Sequence, residues 1–233
     1  KWADEIVIID SYSTDKTLDI CKEYTDKIFQ KEFTGFGSQR NFALKHVSYD
    51  WVLSVDADER IPEKLRQEIL GKLTTGPDAD VFLIPRKSWF INHCVNYCGW
   101  YPDYRHSPFF NKNSMKYEET DLVHEKFVLK PGGKLSFLKE NIIHYPFLSL
   151  NEFFSKMDRY STLKSKQMFI ERKKFKFYQV IFHPLICFLR MYIFKLGFLD
   201  GKIGFLLSIL YSYYTFIKYI KLWELYQNNA KSY

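Results

Sequence analysis

The sequence predicts an α/β protein: a doubly wound, mostly parallel sheet over residues 1–149, followed by a helical extension over residues 150–233. Three observations carry this reading. Short β-branched runs alternate with stretches of helical spacing over the first 85 residues, the pattern of β-α-β units. Two of those runs end in a carboxylate, at Asp10 and Asp56. From Leu150 onward the apolar spacing turns helical, with Phe153, Met157, Tyr160 and Leu163 near one face.

Taken in order, Glu5 to Asp10 reads EIVIID, an apolar run suited to a strand buried on both faces. Residues 11–15 supply turn and cap chemistry, and Thr17 to Tyr24 has helical spacing. Lys27 to Lys31 reads as a second short strand, Gly35-Phe36-Gly37 as a flexible loop, and Ser38 as the cap of the next helix. Asp50 to Val55 is a further buried strand that delivers Asp56-Ala57-Asp58 at its carboxyl end. Pro62 suits the first turn of a helix over Glu63 to Leu73, since its missing N–H loses no bond there. Val81 to Pro85 is again strand-like, and residues 88–146 are irregular, aromatic-rich and read as short strands. The chain enters its first strand within a few residues of Lys1, which predicts a preceding β-α unit outside this sequence.

Charge is unevenly spread. Residues 151–233 carry 14 Lys+Arg against 5 Asp+Glu, whereas the first 150 carry 20 against 22, so the net +7 belongs to the C-terminal part. A basic, aromatic tail fits an anionic membrane surface better than nucleic acid, for which a uniformly basic chain is the stronger sign. The longest late runs free of charge, 177–189 and 203–217, have 13 and 15 residues, fewer than the ~20 a spanning helix needs. Flanking Lys and Arg make helices lying in the bilayer interface the expectation, with a plain helical subdomain or a homodimer face as the alternative. Four cysteines without framework spacing favour a reducing compartment. His93, Cys94 and Cys98 lack the partners that would complete a zinc tetrahedron.

Two carboxylates one residue apart at a strand end can hold a hard cation against a diphosphate. The tripeptide is weak by itself. Asp78-Ala79-Asp80 repeats it, but before a strand rather than after one, and an acidic cluster ahead of Pro62 can also serve a helix N-terminus. Asp10 can accept hydrogen bonds from a base or ribose, or cap the following helix. Arg40 can neutralise phosphate.

The segments IIDSYSTDKT, GFGSQRNFAL and WVLSVDADERIP, in that order, resemble family 2 glycosyltransferases of the GT-A fold. CGWYPDYRHSPFF, DLVHEKF, IIHY, YST and LDGKIGFL further resemble the branch containing bacterial lipopolysaccharide-core β-glucosyltransferases that extend heptose. The resemblance implies a UDP-sugar donor, a glycolipid acceptor, a divalent Mn or Mg cofactor and inversion at the anomeric carbon. It implies that Asp10, with Ser11, recognises the nucleoside, and that Arg40 and Asn41 hold the donor. It makes Asp56 a ribose or metal contact, Asp58 the principal metal ligand, and His144 a candidate third ligand. Inversion needs one general base; Glu125 is the first candidate and Asp103 the second. Trp100, Tyr101 and His124 are candidates for holding the acceptor. The expected location is peripheral, on the cytoplasmic face of the bacterial inner membrane. A polyprenyl-phosphate glycosyltransferase and a sugar nucleotidyltransferase are the enzymatic alternatives. The sequence shows no Gly-rich triphosphate loop to favour the second.

Overall fold

A computed structural model describes residues 2–104, 108–119 and 126–230. Its elements follow in chain order: β1 (Ile8–Asp10), α1 (Thr17–Lys22), β2 (Ile28–Gln30), α2 (Phe36–Leu44), β3 (Trp51–Leu53), β4 (Glu59–Arg60), α3 (Glu63–Thr75), β5 (Val81–Leu83) and β6 (Arg86–Phe90). Then come β7 (His93–Cys94), β8 (Phe109–Asn111), β9 (Met115–Tyr117), β10 (Phe127–Leu129), β11 (Leu135–Phe137), β12 (Ile142–Phe147), α4 (Leu150–Ile170) and α5 (Tyr178–Leu189). A π turn (Arg190–Phe194) and a 3₁₀ turn (Gly197–Asp200) lead into α6 (Gly201–Ala230).

The chain divides into two compact units. The first comprises residues 1–56, 63–84 and 104–140; the second comprises 57–62, 85–103 and 141–233. This differs from the division expected at residue 149. The segments 57–62, 85–103 and 141–149 build a sheet of their own and belong with the C-terminal helices.

In the first unit β1 pairs in parallel with β2, as the β-α-β reading requires. A four-stranded sheet has the order β11-β5-β8-β3. The pairing here is mixed rather than mostly parallel. β8 comes from the irregular aromatic segment without a helical crossover and inserts antiparallel to both β3 and β5. Val81, Phe110, Met115 and Tyr117 form the buried core of this region, with Leu44 of α2 and Val52 of β3 packed on it. The remaining pair, β9-β10, is antiparallel.

The second unit has the order β4-β12-β6-β7, with β12 parallel to β6 and antiparallel to β4. Phe90, Val95, Cys98, Phe147, Phe153, Met157 and Leu207 bury against one another, joining this sheet to α4 and α6. α4 begins at a capping box: the Ser149 hydroxyl accepts from the Glu152 N–H at 3.1 Å, and the Glu152 carboxylate accepts from the Leu148 N–H at 2.8 Å. All four cysteines are free, and Cys94 and Cys98 take no part in a metal cluster among the described residues.

Candidate active site

In the first unit the candidate residues gather at the carboxyl ends of β1 and β3. Asp10 ends β1 and is 5% exposed. Its carboxylate accepts from the Gln30 amide and the Ser13 N–H, each at 3.0 Å, and from the Ser13 hydroxyl. Those hydrogen bonds, Gln30 foremost, hold it below the usual carboxylate range. Asp10 therefore organises the β1–α1 turn, while Asp15 accepts from the Thr17 N–H at 2.9 Å where α1 begins. Ser11 is exposed, and its hydroxyl accepts from the Gln39 amide at 3.0 Å.

The glycine-rich run is not a loop. α2 starts at Phe36 with Gly35 as its cap residue, so Gly37 lies in the first turn. A Cβ on Gly37 would stand 1.9 Å from the Glu118 carbonyl oxygen, so this glycine permits backbone contact rather than mobility. One turn further, Asn41 reads the edge of β9 as a strand would. Its amide donates to the Tyr117 carbonyl at 2.9 Å, and its oxygen accepts from the Tyr117 N–H at 3.1 Å. Arg40 donates to the Ser54 hydroxyl and to Asp56 Oδ1, the latter at 2.8 Å, with its guanidinium over the Tyr117 ring. Arg40 and Asp56, predicted to serve the donor, thus meet just beyond β3.

Asp58, Asp103, His144, Trp100 and Tyr101 lie in the second unit. Asp58 stands immediately before β4, and its carbonyl accepts from the Tyr145 N–H at 2.8 Å, which ties it to β12. His144 on β12 directs Nε2 to Asp58 Oδ2 at 3.5 Å and Nδ1 to the Ser88 hydroxyl at 3.0 Å. Lys156 on α4 brings its ammonium to 3.9 Å from Asp58 Oδ2 and 3.1 Å from Glu152, while donating to the Pro146 carbonyl. Burial alone pushes the Asp58 carboxyl up. The His144 hydrogen bond and the charges of His144 and Lys156 outweigh it and hold the group below its ordinary value.

Ser88, Glu152 and Lys156 were missed by sequence reasoning. Glu152 and Lys156 carry a signal, as an i,i+4 acid–base pair at the start of a capped helix. Ser88 carries none, since it reaches His144 across 56 residues of chain.

Asp103 is buried and bound to the Arg86 guanidinium at 2.7 Å, and Arg86 also faces Glu59 at 3.6 Å. Its carboxylate is thereby committed to a buried ion cluster. Trp100 packs among Phe90, Phe147 and Tyr211 in the core of the second unit, with Tyr101 half-buried beside it. Glu125 and His124 lie outside the described residues. Asp78 pairs with Lys72, and Asp80 accepts from the Lys134 N–H, so the second acidic tripeptide is structural.

Among the described residues no three His, Cys, Asp or Glu side chains form a metal-binding group. Asp58 with His144 still fits a divalent ion that takes its other ligands from substrate and water. Two ligands each about 2.1 Å from a shared octahedral ion stand about 3 Å apart, near the separation of Oδ2 and Nε2 here.

The model of glycosyl transferase family 2 matches residues 3–130. The chain belongs to that family. The lipopolysaccharide core biosynthesis glycosyltransferase LpsC of Rhizobium meliloti is 30% identical over 94% of this family 2 chain and 83% of its own length. An uncharacterised glycosyltransferase of Rickettsia prowazekii is 26% identical over 95% of this chain and 78% of its own. The crystal structure of Staphylococcus aureus TarS 1–349 in complex with UDP-GlcNAc aligns over 97% of this chain and 83% of that one, at 14% identity and a TM-score of 0.45. At that score residues are not matched between the two structures.

Proposed function

We propose that this family 2 glycosyltransferase moves a sugar, glucose, from a UDP-sugar to a glycolipid acceptor in the synthesis of lipopolysaccharide core or a related envelope glycan. The observation that carries the choice of pathway is the similarity to LpsC, which extends over nearly the whole chain rather than over the nucleotide-binding segments alone.

The geometry of each unit supports roles for Arg40, Asp58 and His144, and the resemblance supplies that of Glu125. Arg40, fixed by Ser54 and Asp56, presents a preorganised guanidinium for the donor. Asp58 and His144 are the residues that would hold Mn²⁺ or Mg²⁺. A cation bound there supplies positive charge to the leaving diphosphate. Ser88 sets the direction of the His144 ring, and Lys156 adds a fixed ammonium beside Asp58. Glu125 takes the proton from the acceptor hydroxyl as the anomeric carbon inverts; Asp103 is the poorer candidate because Arg86 already engages it.

The test is transfer of radiolabelled glucose from UDP-glucose to heptose-terminated core lipid, with and without Mn²⁺, against polyprenyl phosphate as the competing acceptor. Product on the core lipid alone is expected. Product on the polyprenyl phosphate alone would overturn the acceptor assignment.

A further inference from the structure

The exposed apolar face of the α5 hairpin has a surface chemistry that identifies what covers it. Val180 and His183 turn inward to α6: Val180 buries with Tyr219 and Leu222, and His183 Nδ1 meets the Tyr219 hydroxyl at 2.9 Å. The opposite face carries Ile181, Phe182, Leu185 and Ile186, each more than half exposed. The apolar surface continues into the turns at Phe194, which is 77% exposed, and Phe198. A shallow groove lined by Tyr192, Lys202, Phe205 and Leu206 opens at the same end of the hairpin.

Charge around this surface is predominantly basic, although Lys173 is paired with Glu171 at 2.8 Å. Residues 172–209 contain Arg172, Lys173, Lys174, Lys176, Arg190, Lys195 and Lys202 against a single acid, Asp200. Asp200 is turned in, accepting from the Asn96 and Tyr97 N–H groups at 3.2 and 2.8 Å. Apolar side chains set among basic ones fit the interface of an anionic bilayer.

The geometry also decides between lying on a bilayer and crossing it. Residues 197–229 are long and apolar enough to span, by length and composition. Yet one face of α6 packs within its unit, while Phe205, Leu206, Ile209, Tyr213 and Phe216 stay 41–48% exposed. Leu207 is buried against Phe153 and Met157 of α4, and Lys221 donates to Asp158, Ser161 and Thr162 of α4 at 2.6, 2.9 and 2.7 Å. Crossing would carry this lysine and the polar α4 into hydrocarbon or tear them apart. The charge-free runs of 13 and 15 residues reach only about 20–22 Å at 1.5 Å per residue, short of a ~30 Å core.

We infer that the outer face of α5, the turns that follow it and the exposed start of α6 form a monotopic docking surface for an anionic phospholipid bilayer, with the inward face of α6 remaining packed on α4. The inference stands on this surface and not on the transfer reaction. Donor binding by variants that no longer dock separates the two.

The experiment is flotation of the full chain with vesicles of phosphatidylcholine containing phosphatidylglycerol, and with phosphatidylcholine alone. Binding is expected on the anionic vesicles, weakening with salt and released by alkaline carbonate. Phe182→Asp with Ile186→Asp should lower the partition by at least about tenfold, and Lys174→Gln or Lys202→Gln by about fivefold each. Circular dichroism and donor binding of these surface variants should match the parent protein. Resistance to carbonate would overturn the monotopic geometry. A soluble dimer that Ile186→Asp dissociates, with no vesicle binding, would assign the face to a second copy and overturn the proposal.

Discussion

Nε2 of His144 stands 3.5 Å from Oδ2 of Asp58 while its Nδ1 is held at 3.0 Å by the Ser88 hydroxyl. The imidazole is thus aimed from behind, and one hydroxyl governs which nitrogen is free to meet the carboxylate or an ion shared with it. Asp58→Ala should abolish Mn²⁺-dependent binding of UDP-glucose, and Ser88→Ala should weaken the apparent Mn²⁺ affinity by about 10–100-fold. Calorimetric titration of metal and donor reads both. Unchanged Mn²⁺ dependence in Asp58→Ala would remove this residue from the metal site.

Glu125→Gln is expected to leave donor affinity near that of the parent protein and to lower kcat by about 10²–10⁴-fold. Asp103→Asn should instead act on stability, because it loosens the buried cluster of Arg86 and Glu59. Single-turnover transfer and urea unfolding, run on both variants, distinguish a base from a structural acid. Full turnover by Glu125→Gln would reassign the base.

Asn41 replaces a strand edge with a side chain, so Asn41→Ala strands both the N–H and the carbonyl of Tyr117. A loss of about 1–3 kcal/mol is expected in urea unfolding, with little change in donor affinity if the helix stays seated. A larger loss of donor affinity than of stability would mean that Asn41 touches the donor itself.

Asp10 provides a pH test with a definite sign. Hydrogen bonds from Gln30 and Ser13 set its folded pKa below its unfolded one. The stability it adds is therefore complete above the unfolded value of about 3.9 and lost as pH falls through the folded value. Asp10→Ala should cost about 1–3 kcal/mol near neutrality, and the gap from the parent protein should close as the medium is made more acidic than about pH 4. A gap that stays constant into strong acid would mean that the carboxylate charge plays no part.

Local pattern made much of this legible in advance. The β-branched runs ending at Asp10 and before Asp56 are strands, α3 begins at Glu63 just after Pro62, and the acidic pair at Asp78 and Asp80 does structural service. Readings failed where the deciding partner is distant in sequence. Gly37 looked like loop chemistry because its reason, the Glu118 carbonyl, lies 81 residues away. β8 slips between β3 and β5 by antiparallel pairing that no helix–strand alternation announces. Ser88 and Lys156 acquire meaning only once β6, β12 and α4 are folded around Asp58.

The bond between Lys221 and Asp158 has a consequence for biosynthesis. α4 precedes α6 in the chain, so it leaves the ribosome first and can be folded before the apolar helix emerges. By length and composition alone, residues 197–229 could also serve as a membrane segment. A waiting site for Lys221 on finished α4 gives the nascent helix a competing destination.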